Sequence, residues 1–192
     1  EKAEIASIPE ELYVRETRHI LAEYQLPITD IWENRDHWDQ IALGSYPVDV
    51  QASSIHDLGF IISDPQQYAI PFRSLVPLMV DNLLVTNRSA GYSSLAAGSA
   101  RIMPTGMSTA QAAGVAAHLS IQEGLGLREL AASQAHITVL QETLIEQGAR
   151  LYPFELPYPY QGEWYYPALQ TMLTYGLASG GHENNLNLDV PM

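Results

Sequence analysis

The stretch that decides the fold runs from residue 82 to residue 123, NLLVTNRSAGYSSLAAGSARIMPTGMSTAQAAGVAAHLSIQE. It opens on a short apolar run that ends in Thr86, Asn87 and Arg88. Such a run fits a buried parallel strand over 82–88 whose C-terminal end opens onto a ligand crevice. Residues 89–107 are dense in Gly, Ser and Ala, and they lead into STAQAAGVAAHLSIQEG, which reads as a helix built of small residues. A helix this poor in large side chains buries little on its own, so it must pack closely against a sheet or a cofactor. Gly114 in its middle costs up to about 1 kcal/mol of helix propensity relative to alanine. Close approach by another backbone is one reason to tolerate it; chance is another.

Working outward, Gly124 and Gly126 end that helix, and GLGLRE is a turn rather than a nucleotide-binding loop because it follows a helix. LRELAASQAHITVLQETLIEQGARL (127–151) continues as helix, with Leu140, Leu144 and Ile145 on an apolar side and Gly148 as terminator. YPFELPYPYQG (152–162) holds too many prolines for a helix or central strand and reads as an extended surface linker. EWYYPALQTMLTYGLASGG then forms a last amphipathic helix. Upstream, PEELYVRETRHILAE (9–23) predicts a helix, with Pro9 at its start and acids in the first turn. A strand is expected at 41–43, and DLGFIISDPQQYAIPFRSLVP predicts strand, turn and strand.

Twenty-two acids against nine bases give a formal charge of −13. A nucleic-acid or anionic-membrane surface would repel such a chain, whereas one buried anion site would not. Seven of the nine bases lie at or before Arg101, so a phosphate or carboxylate ligand is better sought in that part. The absence of cysteine excludes disulfides, iron–sulfur ligation by this chain and a thiol nucleophile. No run reaches the roughly 18 to 20 apolar residues of a membrane span, and the compartment stays open. Glu1 in place of methionine points to a processed or truncated start.

The segment from Ala69 to Leu119 resembles the C-terminal flavin-domain region of FAD-dependent oxidoreductases. The blocks that carry the likeness are AIPFRSLVP, VDNLLVTNRSAG and GSARIMPTGMSTAQAAGVAAHLS, in the family's order. ELYVRETRHILAEYQL and IALGSYPVDV resemble the blocks preceding them, so the likeness covers roughly 9–150. It implies a mixed α/β, Rossmann-like FAD-binding fold with a helical tail. Residues 1–68 would then be substrate-facing, 69–150 the C-terminal portion of the FAD domain, and 151–192 a Pro-rich linker and tail. The Gly-rich strand–turn–helix that holds the FAD pyrophosphate in such enzymes is not found here. The expectation is therefore a C-terminal fragment, completed by a missing N-terminal FAD-binding portion in the same precursor or in another chain. Alone it would bind FAD weakly or not at all and be inactive. The tail also resembles the first helix of an S-layer homology module at Trp164, Ala168, Gly176 and Gly180.

The resemblance also implies site residues. Thr86, Asn87 and Arg88 match positions of ribityl contact, Ser99 and Arg101 precede the MPT block, and Thr105, Gly106 and Met107 would present backbone groups at the helix start. Orphan N–H groups there stabilise negative charge on the pyrimidine edge of a reduced flavin. The complete enzyme would exchange hydride between a small organic substrate and FAD. Arg15, His19 and Arg73 are the catalytic or carboxylate-binding candidates, each also readable as an ordinary ion-pair or surface partner. His56 is read as a surface or structural histidine, and the histidine spacing carries no metal signature. Three positions depart from the family pattern. Thr86-Asn87 stands where Ala-Gly is usual, Ser93-Ser94-Leu95 where Thr-His-Glu is expected, and Gly106 where cysteine is common. A redox-inactive relative, or a non-enzymatic binding or surface-associated domain, is the alternative.

Overall fold

The computed structural model describes residues 7–8, 10–11, 14–52, 56, 58–152, 160, 162–174, 186 and 188. Its centre is an antiparallel pair, β1 (Gln40–Gly44) with β4 (Tyr68–Pro71), in which Leu43 faces Ala69 and Gly44 faces Tyr68. Ile41, Ala42, Ala69 and Ile70 are all buried, because both faces of this pair are covered. Each large aliphatic side chain buried in this way stabilises the fold by about 1.5–3 kcal/mol. A second, two-residue pair joins β2 (Asp49–Val50) to β3 (Phe60–Ile61), also antiparallel.

Around the strands lie α1 (Ile28–Trp32), α2 (Ser94–Ala100), α3 (Met103–Glu123), α4 (Leu127–Ala132), α5 (Gln134–Glu146) and α6 (Tyr166–Thr174). The long helix α3 rests on β1 and α5 and turns Ala112, Ala116, Thr105 and Thr109 inward. Those small residues let helix and sheet approach closely, as the sequence required. Pro104 sits in the first turn, where its missing N–H costs nothing, and Gly124 closes the helix at φ 64. The expected helix over 127–151 divides in two because Ser133 takes an extended conformation, ends α4, and accepts a hydrogen bond from the His136 N–H to begin α5. One core cluster reaches from Leu26 to Leu151, so residues on both sides of position 68 share it.

Two expectations are corrected here. Residues 14–20 are not helical. They run beside residues 88–90, where Ile20 N–H donates to Ser89 O at 3.0 Å and the hydroxyls of Thr17 and Ser89 meet at 2.9 Å. These partners, some seventy residues away, satisfy the backbone that a helix would have satisfied internally. Likewise 82–86 joins no ladder: Asn82 sits in a bend at φ 54, 83–86 form no strand, and Asn87–Ser89 closes into a 3-10 turn. With no neighbouring strand among the described residues, Asp81, Asn82 and Leu83 stay exposed. The Rossmann-like parallel sheet is therefore absent from the described residues: both sheets are antiparallel pairs, and the one parallel contact is the isolated Leu26–Tyr92 bridge. The mixed α/β character holds.

The expected linker 152–162 falls mostly outside the described residues. Of the tail landmarks, Trp164 and Ala168 are exposed around the start of α6, and Gly176 and Gly180 lie outside the described residues. Among the described residues no helix is long and apolar enough to cross a membrane.

Candidate functional site

Two features of the fold converge near residues 86–107. The first is the start of α3. Because the helix begins at Met103 after the extended Ile102, its open first-turn N–H groups are those of Met103 and Thr105, Pro104 having none. Gly106 N–H already donates to Ile102 O at 2.9 Å, so the expectation that Gly106 and Met107 present backbone donors is corrected. Thr105 is buried, while Met107 contributes a side chain that is 73% exposed.

Asn87 explains what Gly106 does. It sits at φ 58, in the left-handed region that Gly and Asn tolerate best. Its side chain fills the space over Gly106 so closely that a Cβ there would collide with Asn87 Nδ2 and Cγ. Where the family pattern has a small residue at the turn and a larger one on the helix, this chain has the reverse. Asn87 Oδ1 is buried and has no hydrogen-bond partner.

The second feature is a cleft of about 660 Å³ between the N-terminal segment, β2 and α2, lined among others by Arg15, Glu16, Asp49, Ser94, Leu95 and Arg101. Arg101 is only 8% exposed and its NH2 reaches Asp49 Oδ2 at 3.2 Å. Ser93 caps α2 by accepting from Ala96 N–H, which places Ser94, at the position where the family pattern has histidine, on the cleft wall. Arg88 joins the two features: it leaves the Asn87 turn and donates through NH1 to Val14 O at 2.5 Å, one residue before Arg15.

The remaining predicted residues are structural in this arrangement. Ser99 is fully buried and occupied, meeting the Tyr68 hydroxyl at 2.5 Å and donating to Tyr46 O at 2.5 Å. Burial pushes the Tyr68 hydroxyl pKa well up, against the effect of its hydrogen bond with Ser99. Arg73 grips Asp39 with both Nε (2.9 Å) and NH2 (3.1 Å) and stacks on Tyr24 and Trp38. Its reading as a catalytic group is corrected: Asp39, fully buried, takes up its fork. His19 faces two acceptors, Ala90 O at 3.2 Å and Glu16 Oε1 at 3.3 Å, and so holds Glu16 from behind rather than lining the cleft itself.

A buried network stands apart from both features. Asp30, with no exposure, meets the Tyr24 hydroxyl at 2.5 Å, His37 Nε2 at 3.1 Å and Arg35 NH1 at 3.2 Å. Burial opposes its ionisation, but the close His37 and Tyr24 contacts and the Arg35 charge together hold the carboxyl below the usual range. Asp36 goes the other way, raised by burial against the attraction of His37. Sequence reading missed this network; the DIWENRDHWD run (30–39) was its only signal, and which acids turn inward is decided by packing. Among the described residues, no group of three His, Cys, Asp or Glu side chains could hold a metal ion.

A family model described as FAD dependent oxidoreductase matches residues 1–144. No curated protein and no solved structure gives a match. The family match corrects the expectation of a C-terminal fragment lacking its N-terminal FAD motif: it runs from the first residue and takes in 144 of the 192 positions, well beyond the region from Ala69. The missing N-terminal partner, and the weak FAD binding inferred from it, lose their ground with that correction. The match stops before the tail and lends the S-layer reading nothing. With three quarters of its length matched, the chain belongs to the FAD dependent oxidoreductase family.

Proposed function

We propose that this chain binds FAD at the junction of the Asn87 turn and the start of α3, and takes part in hydride exchange with a small organic substrate held in the neighbouring cleft. The observation that carries the reading is the orphaned Asn87 Oδ1, a buried acceptor beside an uncapped helix start. Leaving such an atom unpaired costs about 1–3 kcal/mol, and a hydroxyl or ring N–H of a flavin ligand would offset it. Thr86, Asn87 and Arg88 would hold the ribityl side. The Met103 and Thr105 N–H groups, at the positive end of the α3 dipole, favour an electron-rich ring edge.

Bound FAD supplies the redox chemistry. The chain's own groups supply placement: Arg15 and Arg101 orient a ligand in the cleft, and Glu16, held by His19, is the carboxylate positioned to take a proton from it. The first test is the absorption spectrum of the purified chain with added FAD, followed by bleaching on addition of candidate donors. A flavin spectrum retained through desalting and weakened by Asn87→Ala supports the reading; a chain that retains no flavin overturns it.

A second reading has one observation behind it. Ser94 and Leu95 line the cleft at the positions where the resemblance expects histidine and glutamate. On that reading the chain keeps FAD but has lost or altered the family's reaction. Flavin that binds but is not bleached by any donor, with bleaching gained in Ser94→His, would favour it.

A further inference from the structure

Arg101 uses little of its hydrogen-bonding capacity. A guanidinium carries five N–H donors in a planar fork, and at 8% exposure this one is nearly out of water. Its ion pair is a single NH2 contact to Asp49, itself 24% exposed. None of its other nitrogens is a buried atom without a partner, and Arg101 lines the cleft. Arg15 lines the same cleft from the N-terminal segment. In a chain of formal charge −13, two arginines set against two acids leave this cleft locally neutral, where the chain as a whole is negative.

From this geometry we infer that the cleft between the N-terminal segment, β2 and α2 is a carboxylate site, and that the substrate or an effector is a small monocarboxylic acid. The inference rests on the reading of that cleft as the substrate site. Glu16 and Asp49 balance the two arginines, so the lining is formally neutral. The two carboxylates repel a dianionic phosphate about twice as strongly as a singly charged head group, so the fork of Arg101 offsets the repulsion more readily for the monoanion. The planar fork of Arg101 matches a carboxylate in two parallel hydrogen bonds. Val50, Ala52 and Leu95 add apolar wall, which suits a short carbon chain behind the acid.

The test uses the intact chain with FAD added, and probes it with propionate, propionamide and inorganic phosphate. Binding is followed by backbone amide and Arg Nε chemical shifts, which need no flavin signal. Propionate is expected to shift the Asp49–Gln51 and Leu95–Gly98 amides and the Arg101 Nε, while propionamide, of equal size and no charge, does not. Arg15→Gln, at an exposed position, and Arg101→Lys are each expected to weaken propionate by on the order of tenfold. The lysine change retains the charge and removes the fork, and the arginine-15 change keeps a test available if the buried substitution unfolds the chain. Equal binding of propionate and propionamide, tighter binding of phosphate, or unchanged propionate affinity in folded variants would each overturn the inference. Loss of propionate binding with FAD retained, or the reverse, separates a failure here from a failure of the flavin reading.

Discussion

Asn87 and Gly106 exchange size across the gap between the 3-10 turn and α3, and the exchange is testable as a coupling. A methyl group at residue 106 would meet the Asn87 amide and its Cγ, so Gly106→Ala should destabilise by about 1–3 kcal/mol. Asn87→Gly opens that space and tolerates the positive φ, and Asn87→Gly with Gly106→Ala should recover most of the loss. A double-mutant cycle in urea reads the coupling directly; additive effects would mean that the two residues do not compete for one volume. Asp30 governs the acid side of stability. Its folded pKa lies below its ordinary 3.8, so its contribution is fully present above that value and is lost as the pH falls through the lower, folded one. Stability should therefore drop below about pH 4 with a slope that Asp30→Ala removes, and this substitution should cost about 1–3 kcal/mol at neutral pH by taking the buried acceptor from His37 and the Tyr24 hydroxyl, while Arg35 keeps Glu33. Asp36, raised by burial, has the opposite sign: it lowers stability once the pH passes its unfolded value, so Asp36→Asn should stabilise the chain at pH 7 and lose that advantage in acid. Urea midpoints of the variants at pH 3 and pH 7 check both signs.

At the scale of elements, α3 carries the most informative substitution. Nothing lies within 4 Å of where a Cβ at Gly114 would sit, so close backbone approach does not account for this glycine. Gly114→Ala should raise stability by about 0.5–1 kcal/mol through helix propensity and unfolded-chain entropy. A destabilised variant in thermal melts would show that something packs on that face in solution. The helix itself was legible, since Pro104, an unbroken run of small residues and Gly124 are local signals that the fold does not override. So were β1 and β4, whose apolar runs are bounded by Gly and Pro. The segment 14–20 was not, because its acids and arginines mimic a solvated helix face while its hydrogen bonds go to Ser89 and Ala90. The strand expected at 82–88 failed for a related reason: apolar residues make a strand only when a neighbour offers a ladder. For the candidate site, the sequence named Asn87, Arg101 and Thr105, and the fold sets Asn87 against Gly106 of α3, Arg101 on the cleft wall and Thr105 in the first turn of α3. It could not show that Arg73 is spent on Asp39, thirty-four residues away, or Ser99 on Tyr68.

For the whole molecule, the charge of −13 governs how FAD would arrive on the proposed reading. FAD carries a pyrophosphate, and at distances beyond a Debye length, about 10 Å at 0.1 M salt, it meets the summed negative field before any arginine. Salt screens that repulsion more than it screens contacts made in the partly buried site. The association rate of FAD, followed by flavin fluorescence in stopped flow, should therefore rise a few-fold between about 0.01 M and 0.15 M salt, while the dissociation rate changes little. A strongly positive entry would give the opposite trend, as oppositely charged partners do. Seven of the nine bases lie at or before Arg101, so that trend is a real competitor. The ion pairs decide between them: Arg35, Arg73, Arg101 and Arg128 each lie against an acid, so four of the nine bases are cancelled locally and the acids far outnumber the rest, which keeps the field negative. An association rate that falls with salt would show that the entry to the site is dominated by the arginines around residues 15 and 88 instead.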